Sequence, residues 1–151
     1  MDMLTALALS IGILIALWVK VGTMASLLVP AGIVAWACFF AAGGKTAGLQ
    51  KTIASTLSGV VWVWLAHILI GAMNMGSFAW IIIGVVGFFL VLQSKVPILS
   101  FIPGAFCGAA VTAWAAPADP RGYLMVAVAL IAGAVLGYIS EMGAGMIAKK
   151  A

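Results

Sequence analysis

The chain has 151 residues, 66% of them hydrophobic, 7% charged and 10% aromatic, with a net charge of +4 and a mean hydropathy of +1.32. A soluble globular domain carries about a quarter of its residues charged and under half apolar, so this composition excludes one and points to a bilayer. Crossing a hydrocarbon core about 30 Å thick takes about 20 helical residues; about seven crossings is therefore the ceiling, with no room left for a soluble domain.

Apolar runs broken by polar or Gly/Pro punctuation predict six segments. The first, Leu4 to Val19, follows Met1-Asp2-Met3 and lacks the basic n-region of a signal peptide, so it is expected to stay as a helix. The second, Met24 to Ala42, carries Pro30, which either starts the helix or kinks it, and stops at Gly43-Gly44. The third, Thr52 to Ala72, is entered through the polar stretch Lys45 to Lys51, expected as a helical turn or two lying at headgroup level, and ends in a turn marked by Gly71, Asn74 and Gly76. The fourth, Ser77 to Leu92, is short and rich in Ile, Val and Phe, and stops at Gln93-Ser94-Lys95-Val96-Pro97. The fifth, Ile98 to Ala115, contains Pro103, Gly104 and Gly108 and is closed by Pro117, Asp119, Pro120 and Arg121. The sixth, Gly122 to Ser140, continues through Glu141 to Lys149-Lys150.

Six crossings put both termini on one face of the membrane. Lys45, Lys51, Lys95, Lys149 and Lys150 fall on that face and Lys20 and Arg121 on the other, an excess that predicts both termini in the cytoplasm. The lysines read as topology signals and anchors to anionic lipid. With no basic surface outside the bilayer, no nucleic-acid partner is expected.

The two halves resemble each other. Val29-Pro30-Ala31-Gly32 matches Ile102-Pro103-Gly104-Ala105, and at an offset of 74 Gly59 meets Gly133, Trp64 meets Tyr138, His67 meets Glu141 and Gly71 meets Gly145; Lys20 has a rough counterpart in Lys95. An odd number of crossings per repeat forces the halves into opposite orientations, so the predicted fold is an all-α integral membrane protein of about six transmembrane helices in a 3+3 inverted-topology repeat. It forms a single membrane domain over 1–151, with repeat one at about 3–73 and repeat two at about 77–148. Inverted repeats recur in channels and transporters, although a fold does not fix a function.

His67 is the sharpest polar feature, because an ionisable residue inside an apolar helix is costly and normally faces protein or a watery cavity. At helical spacing it shares a face with Ser55, Gly59, Val63 and Gly71. Glu141 holds the matching place on the last segment, in line with Ala129, Gly133 and Gly137. The third helix runs outward and the sixth inward, which sets His67 and Glu141 at opposite faces and disfavours a catalytic pair. Trp36, near Phe39 and Phe40, is a candidate aromatic constriction; Trp18, Trp62, Trp64, Trp80 and Trp114 fit membrane belts or packing. Gly104-x-x-x-Gly108 and Gly133-x-x-x-Gly137, with Gly59, are small-residue patterns that let helix backbones approach. Gly43-Gly44-Lys45-Thr46 looks like the end of a phosphate loop, but Phe39 stands where the leading glycine belongs and no strand precedes it, so nucleotide binding is not expected.

Asp2, Asp119 and Glu141 are the only acids, His67 the only histidine, and Cys38 and Cys107 read as small packing residues. That set predicts neither a metal site, nor a cofactor, nor an enzyme. The expectation is a small-solute channel or facilitator for a neutral molecule such as urea, an amide, a polyol or a gas, with His67, Glu141, Ser55 and Trp36 as its candidate path. Six short helices make a thin wall, so a homo-oligomer is expected. The alternative is a non-transporting scaffold whose glycine faces bind partner helices.

The run Phe39 to Trp62, which contains Gly43-Gly44-Lys45-Thr46-Ala47-Gly48-Leu49-Gln50-Lys51-Thr52, and the run Phe101-Ile102-Pro103-Gly104-Ala105-Phe106 resemble the YcdZ-like family of small bacterial inner-membrane proteins, grouped under a domain of unknown function. The resemblance covers most of the chain and implies a bacterial inner-membrane location. It supplies no substrate and no functional residues.

Overall fold

The helices of this chain bury many small residues against one another, with Trp18, Trp36, Phe39 and Leu130 among them, and turn many large apolar side chains outward. The computed structural model describes residues 1–148; the two lysines at 149 and 150 that weigh in the charge count lie outside them. Six α-helices follow one another, α1 (Met3–Met24), α2 (Val29–Ala41), α3 (Lys45–Ala72), α4 (Ala79–Leu92), α5 (Ile102–Ala115) and α6 (Pro120–Ile147), with single 3-10 turns at Gly76–Phe78, Gln93–Lys95 and Pro97–Leu99. No strand occurs among the described residues.

Four stretches are long and apolar enough to cross a membrane: α1, α3, α6 and Gly76–Lys95, which is α4 with its flanking turns. The helices within the second and fifth expected segments are shorter than a crossing. With 13 and 14 residues, α2 and α5 reach only about 20 Å at 1.5 Å per residue. The first expected boundary also moves. α1 runs through Lys20 to Met24, since Val21 and Met24 extend its apolar surface and the Thr23 hydroxyl bonds back to the Val19 carbonyl at 2.7 Å. The chain turns at Ser26, which has a left-handed φ of 56°, and Pro30 sits in the first turn of α2, where its missing N–H costs nothing. The polar stretch from Lys45 to Lys51 is the continuous start of α3, a helix of 28 residues. Asp2 caps α1, accepting from the Thr5 amide and hydroxyl at 3.0 and 2.6 Å; these bonds hold its carboxyl below the usual range, the hydroxyl contributing most.

Helix directions follow from who touches whom. Gly32 lies on Gly133 and Phe39 on Gly137, so α2 runs parallel to α6. Ser55 lies on Gly104 and Gly59 on Ala109, so α5 runs parallel to α3. Lys45 meets Glu141 and His67 meets Tyr123, so α3 and α6 are antiparallel. α1 packs outside α6 and α4 outside α3.

The crossings are backbone contacts. A Cβ on Gly133 would collide with the Gly32 carbonyl oxygen and fall 2.5 Å from the Gly32 Cα; one on Gly59 would collide with the Ala105 carbonyl oxygen and fall 2.5 Å from the Ala109 nitrogen. One on Gly108 would collide with the Thr56 carbonyl oxygen. Around them Ala31, Ala35, Ala105, Ala129 and Ala134 are buried, while Ile13, Leu17, Ile83 and Phe88 face outward. Lipid is as apolar as leucine, so burying large side chains gains little inside a bilayer and close backbone packing takes over. Trp18 closes one side: its ring covers Gly32 and its Nε1 donates to the Val29 carbonyl at 3.0 Å.

Gly133→Ala should therefore destabilise the detergent-purified protein by about 1–3 kcal/mol, the range of core overpacking, read as a lowered thermal midpoint. Gly84→Ala, whose Cβ meets nothing within 4 Å, should leave the midpoint unchanged or raise it.

Candidate functional site

The polar groups fall into four places. At one end of the α3/α6 pair, Gly43 and Gly44 take φ of +97° and +65° and Lys45 takes 56°, reversing the chain so that α3 starts facing α6. The Lys45 amide donates to Glu141 Oε2 at 2.7 Å, and a Cβ on Gly44 would sit 2.7 Å from Oε1. Glu141 thus supplies the side-chain cap that Gly44 lacks, its negative charge at the positive end of the helix dipole. The amide that the phosphate-loop comparison would offer to a ligand is occupied by the chain's own carboxylate. A cavity of about 630 Å³ opens beside it, lined by Met3, Phe40, Lys45, Tyr138 and Glu141 among others.

At the other end, His67 Nδ1 bonds to the Tyr123 hydroxyl. His67 is exposed at the edge of the bundle and borders two cavities. One, of about 300 Å³ between α3, α4 and α5, is apolar apart from His67; the other, of about 350 Å³, includes Trp64, Asp119 and Tyr123. The positions matched in the sequence, His67 and Glu141, lie at opposite ends, each beside the first turns of the antiparallel partner helix.

The third group is a set of hydroxyls inside the bundle. Thr52, Ser55, Thr56, Thr112 and Ser140 are fully buried. Thr56 bonds to the Thr52 carbonyl, Thr112 to the Gly108 carbonyl and Ser140 to the Gly137 carbonyl, at 2.7–2.8 Å. Trp36 Nε1 donates to the Ser140 hydroxyl at 3.1 Å, with Phe39 and Phe40 edge to face beside it. The Thr52 and Ser55 hydroxyls have no partner among the described residues. Among the sequence candidates, Ser55 and Trp36 therefore lie inside, and His67 and Glu141 at the two ends. Gly59, Gly104, Gly108, Gly133 and Gly137 sit where neighbouring chain approaches.

A lateral chain joins α4 to α3. Trp62 Nε1 donates to Gln93 Oε1 at 3.0 Å, Gln93 Nε2 donates to the Ser58 hydroxyl at 2.9 Å, and Ser58 donates to the Ser55 carbonyl at 2.7 Å. Gln93 had read only as a helix stop. Residue-by-residue reading also passed over Thr52, Tyr123 and Ser140. The spacing of Thr52, Ser55 and Thr56 was a usable signal, because i, i+3, i+4 puts all three on one face; Tyr123 and Ser140 carried none, since their roles come from partner helices. Among the described residues no group of three or more His, Cys, Asp or Glu could hold a metal ion.

Removing the carboxylate frees one charge-assisted bond, worth about 1.5–3 kcal/mol. Glu141→Ala should speed amide exchange at Lys45 to Gly48 by about tenfold and leave the C-terminal half of α3 unaffected, as read by hydrogen exchange with mass spectrometry. Glu141→Gln, which keeps an acceptor, should show a smaller effect.

Residues 8–145 match the family described as Protein of unknown function (DUF1097). The chain is 34% identical to Inner membrane protein YcdZ of Escherichia coli (strain K12) over 142 residues, covering 91% of this chain and 83% of that protein. It is 32% identical over 155 residues to Uncharacterized protein YahC of the same strain, covering 95% and 92%, and 32% identical over 140 residues to Inner membrane protein YcdZ of Salmonella typhimurium, covering 91% and 85%. No solved structure matches. With nearly its whole length matched to the family and to relatives at this identity, the chain belongs to the DUF1097 family, which includes the YcdZ inner-membrane proteins.

Proposed function

We propose that this protein is a six-crossing inner-membrane facilitator for a small neutral solute, seen here with its interior closed. Its three-plus-three halves are inverted, and both termini face the cytoplasm. The observation that carries the reading is the pair of hydroxyls, Thr52 and Ser55, fully buried and without partners among the described residues. Leaving such a group unsatisfied costs about 1–3 kcal/mol, and a solute bearing a carbonyl, amide or hydroxyl offers the missing partner. A membrane-embedded, nearly charge-free interior suits a neutral molecule rather than an ion.

The inverted repeat is supported by its crossings. Pro30 and Pro103 set α2 and α5 in register at an offset of 73, and α3 and α6 match at 74. On that register the contact of Gly59 with Ala105 is the counterpart of Gly133 with Gly32. Two short Pro-led helices in corresponding places are also where transporters of this design bind substrate. On this reading α2 and α5 complete the six crossings with their flanking turns, His67 and Glu141 mark the two mouths, and copies of the chain associate through their outward faces. The chemistry required is passive, so no enzymatic role is assigned.

The tight packing of the hydroxyl layer favours a second reading, a non-transporting scaffold that binds other membrane helices. Flux and stability separate the two. Stopped-flow light scattering on proteoliposomes with urea, formamide, glycerol and water should show one solute entering several-fold faster than into empty vesicles. Thr52→Val should cut that flux by about tenfold, a loss of 1.4 kcal/mol, while holding or raising the thermal midpoint, because a buried orphan hydroxyl is replaced by a methyl. Flux equal to that of empty vesicles across all four solutes would remove the facilitator reading for them and leave the scaffold.

A further inference from the structure

The cavity at the His67 end has a chemistry the solute reading does not use. Its lining brings together Trp64, His67, Tyr123 and Asp119, with Pro117 and Pro120 at the rim, around about 350 Å³, within the 300–1,000 Å³ range of small-ligand sites. The rings do not stack. Trp64 and Tyr123 have centroids 6.4 Å apart at 55°, and His67 and Tyr123 have centroids 6.0 Å apart at 65°, so they form walls at an angle. The His67 bond to the Tyr123 hydroxyl fixes the two rings to each other.

Asp119 supplies the charge. Its Oδ1 accepts from the Gly122 amide at 2.7 Å as the cap of α6, and its other oxygen accepts from no donor among the described residues. The neighbouring cation, Arg121, is not part of the lining. Aromatic faces are the negative ends of ring quadrupoles and attract cations, quaternary ammonium above all. Faces of that kind beside a partly free carboxylate favour a positive group, repel an anion and give a neutral apolar one no comparable gain.

We propose that this end cavity binds an organic ammonium group, through the aromatic rings of Trp64 and Tyr123 and the carboxylate of Asp119. His67, one mouth of the solute path proposed above, also borders this cavity, but the ammonium site sits on the bundle edge and needs no flux to be observed. An ammonium group reaches it either from a free amine or from a lipid headgroup.

Isothermal titration of the full-length protein in detergent tests this with choline and its neutral carbon analogue 3,3-dimethylbutan-1-ol. Choline should bind saturably and at least about tenfold more tightly than the alcohol. Asp119→Asn should weaken choline by about tenfold with the thermal midpoint kept, because asparagine caps a helix as well as aspartate does; Trp64→Leu should weaken it similarly. No choline binding by the wild type, equal binding of the alcohol, or full binding by Asp119→Asn overturns the proposal. Nanodiscs of phosphatidylglycerol, alone or mixed with phosphatidylethanolamine, then distinguish the sources: choline binding lost in the mixture assigns the headgroup, and binding retained in both assigns a free amine, each upholding the ammonium site.

Discussion

Backbone contact between helices is the constraint on which the rest of this structure depends. Gly133 against Gly32, and Gly59 with Gly108 against the facing backbones of α5 and α3, leave no room for a Cβ. A soluble bundle of this size would hold together by burying large aliphatic side chains. Here most of those side chains face outward, with Leu90, Leu130 and a few valines inside, and lipid solvates the outward ones as well as the interior would. What remains is dispersion at close range and the saturation of backbone polar groups within each helix. The buried alanines of α2, α5 and α6 follow from the same constraint, because a larger side chain beside these crossings would separate the backbones.

Close approach of α3 and α6 as antiparallel neighbours sets the rest of the polar chemistry. Each helix end lies beside the beginning of the other, so a polar residue near the end of either meets the first turns of its partner. At one end the meeting is electrostatic, a carboxylate on the Lys45 amide at the start of α3. At the other it is aromatic, His67 with Tyr123 beside Trp64, while Asp119 caps α6 from its own chain. Two matched positions in the halves thus carry different chemistry because their surroundings differ. The interior differs between halves as well. Trp36 bonds to Ser140 and Phe39 covers Gly137 in the α2/α6 contact, while the two hydroxyls without partners among the described residues, Thr52 and Ser55, are on α3.

Membrane residence and the helical class were legible in composition alone, since no arrangement of a chain with 7% charged residues covers these surfaces with polar groups. A helix start at Pro30 was legible as one of two readings, because proline fixes φ and lacks the N–H that the first turn has no use for; Pro120 read only as part of a break, although α6 begins on it. The continuation of α1 past Lys20 was not. A lysine with a long apolar stem resembles a boundary in sequence, but it sits on a helix surface with its amine turned outward. The helical turns expected over Lys45 to Lys51 run unbroken into α3; what the sequence did not offer was their cap, Glu141, 96 residues away in the chain.

By itself, then, the sequence determined the solvent, the helical class and the candidate glycines, all of which depend on local composition and spacing. Only the tertiary structure decided which backbones those glycines admit, that Glu141 caps the Lys45 amide of α3, that Gln93 bridges Trp62 and Ser58, and that two hydroxyls of α3 have no partner among the described residues. Each of these depends on a group supplied by another helix. A hydrogen bond or a close approach is a property of two surfaces, and periodicity along one strand of sequence describes only one of them.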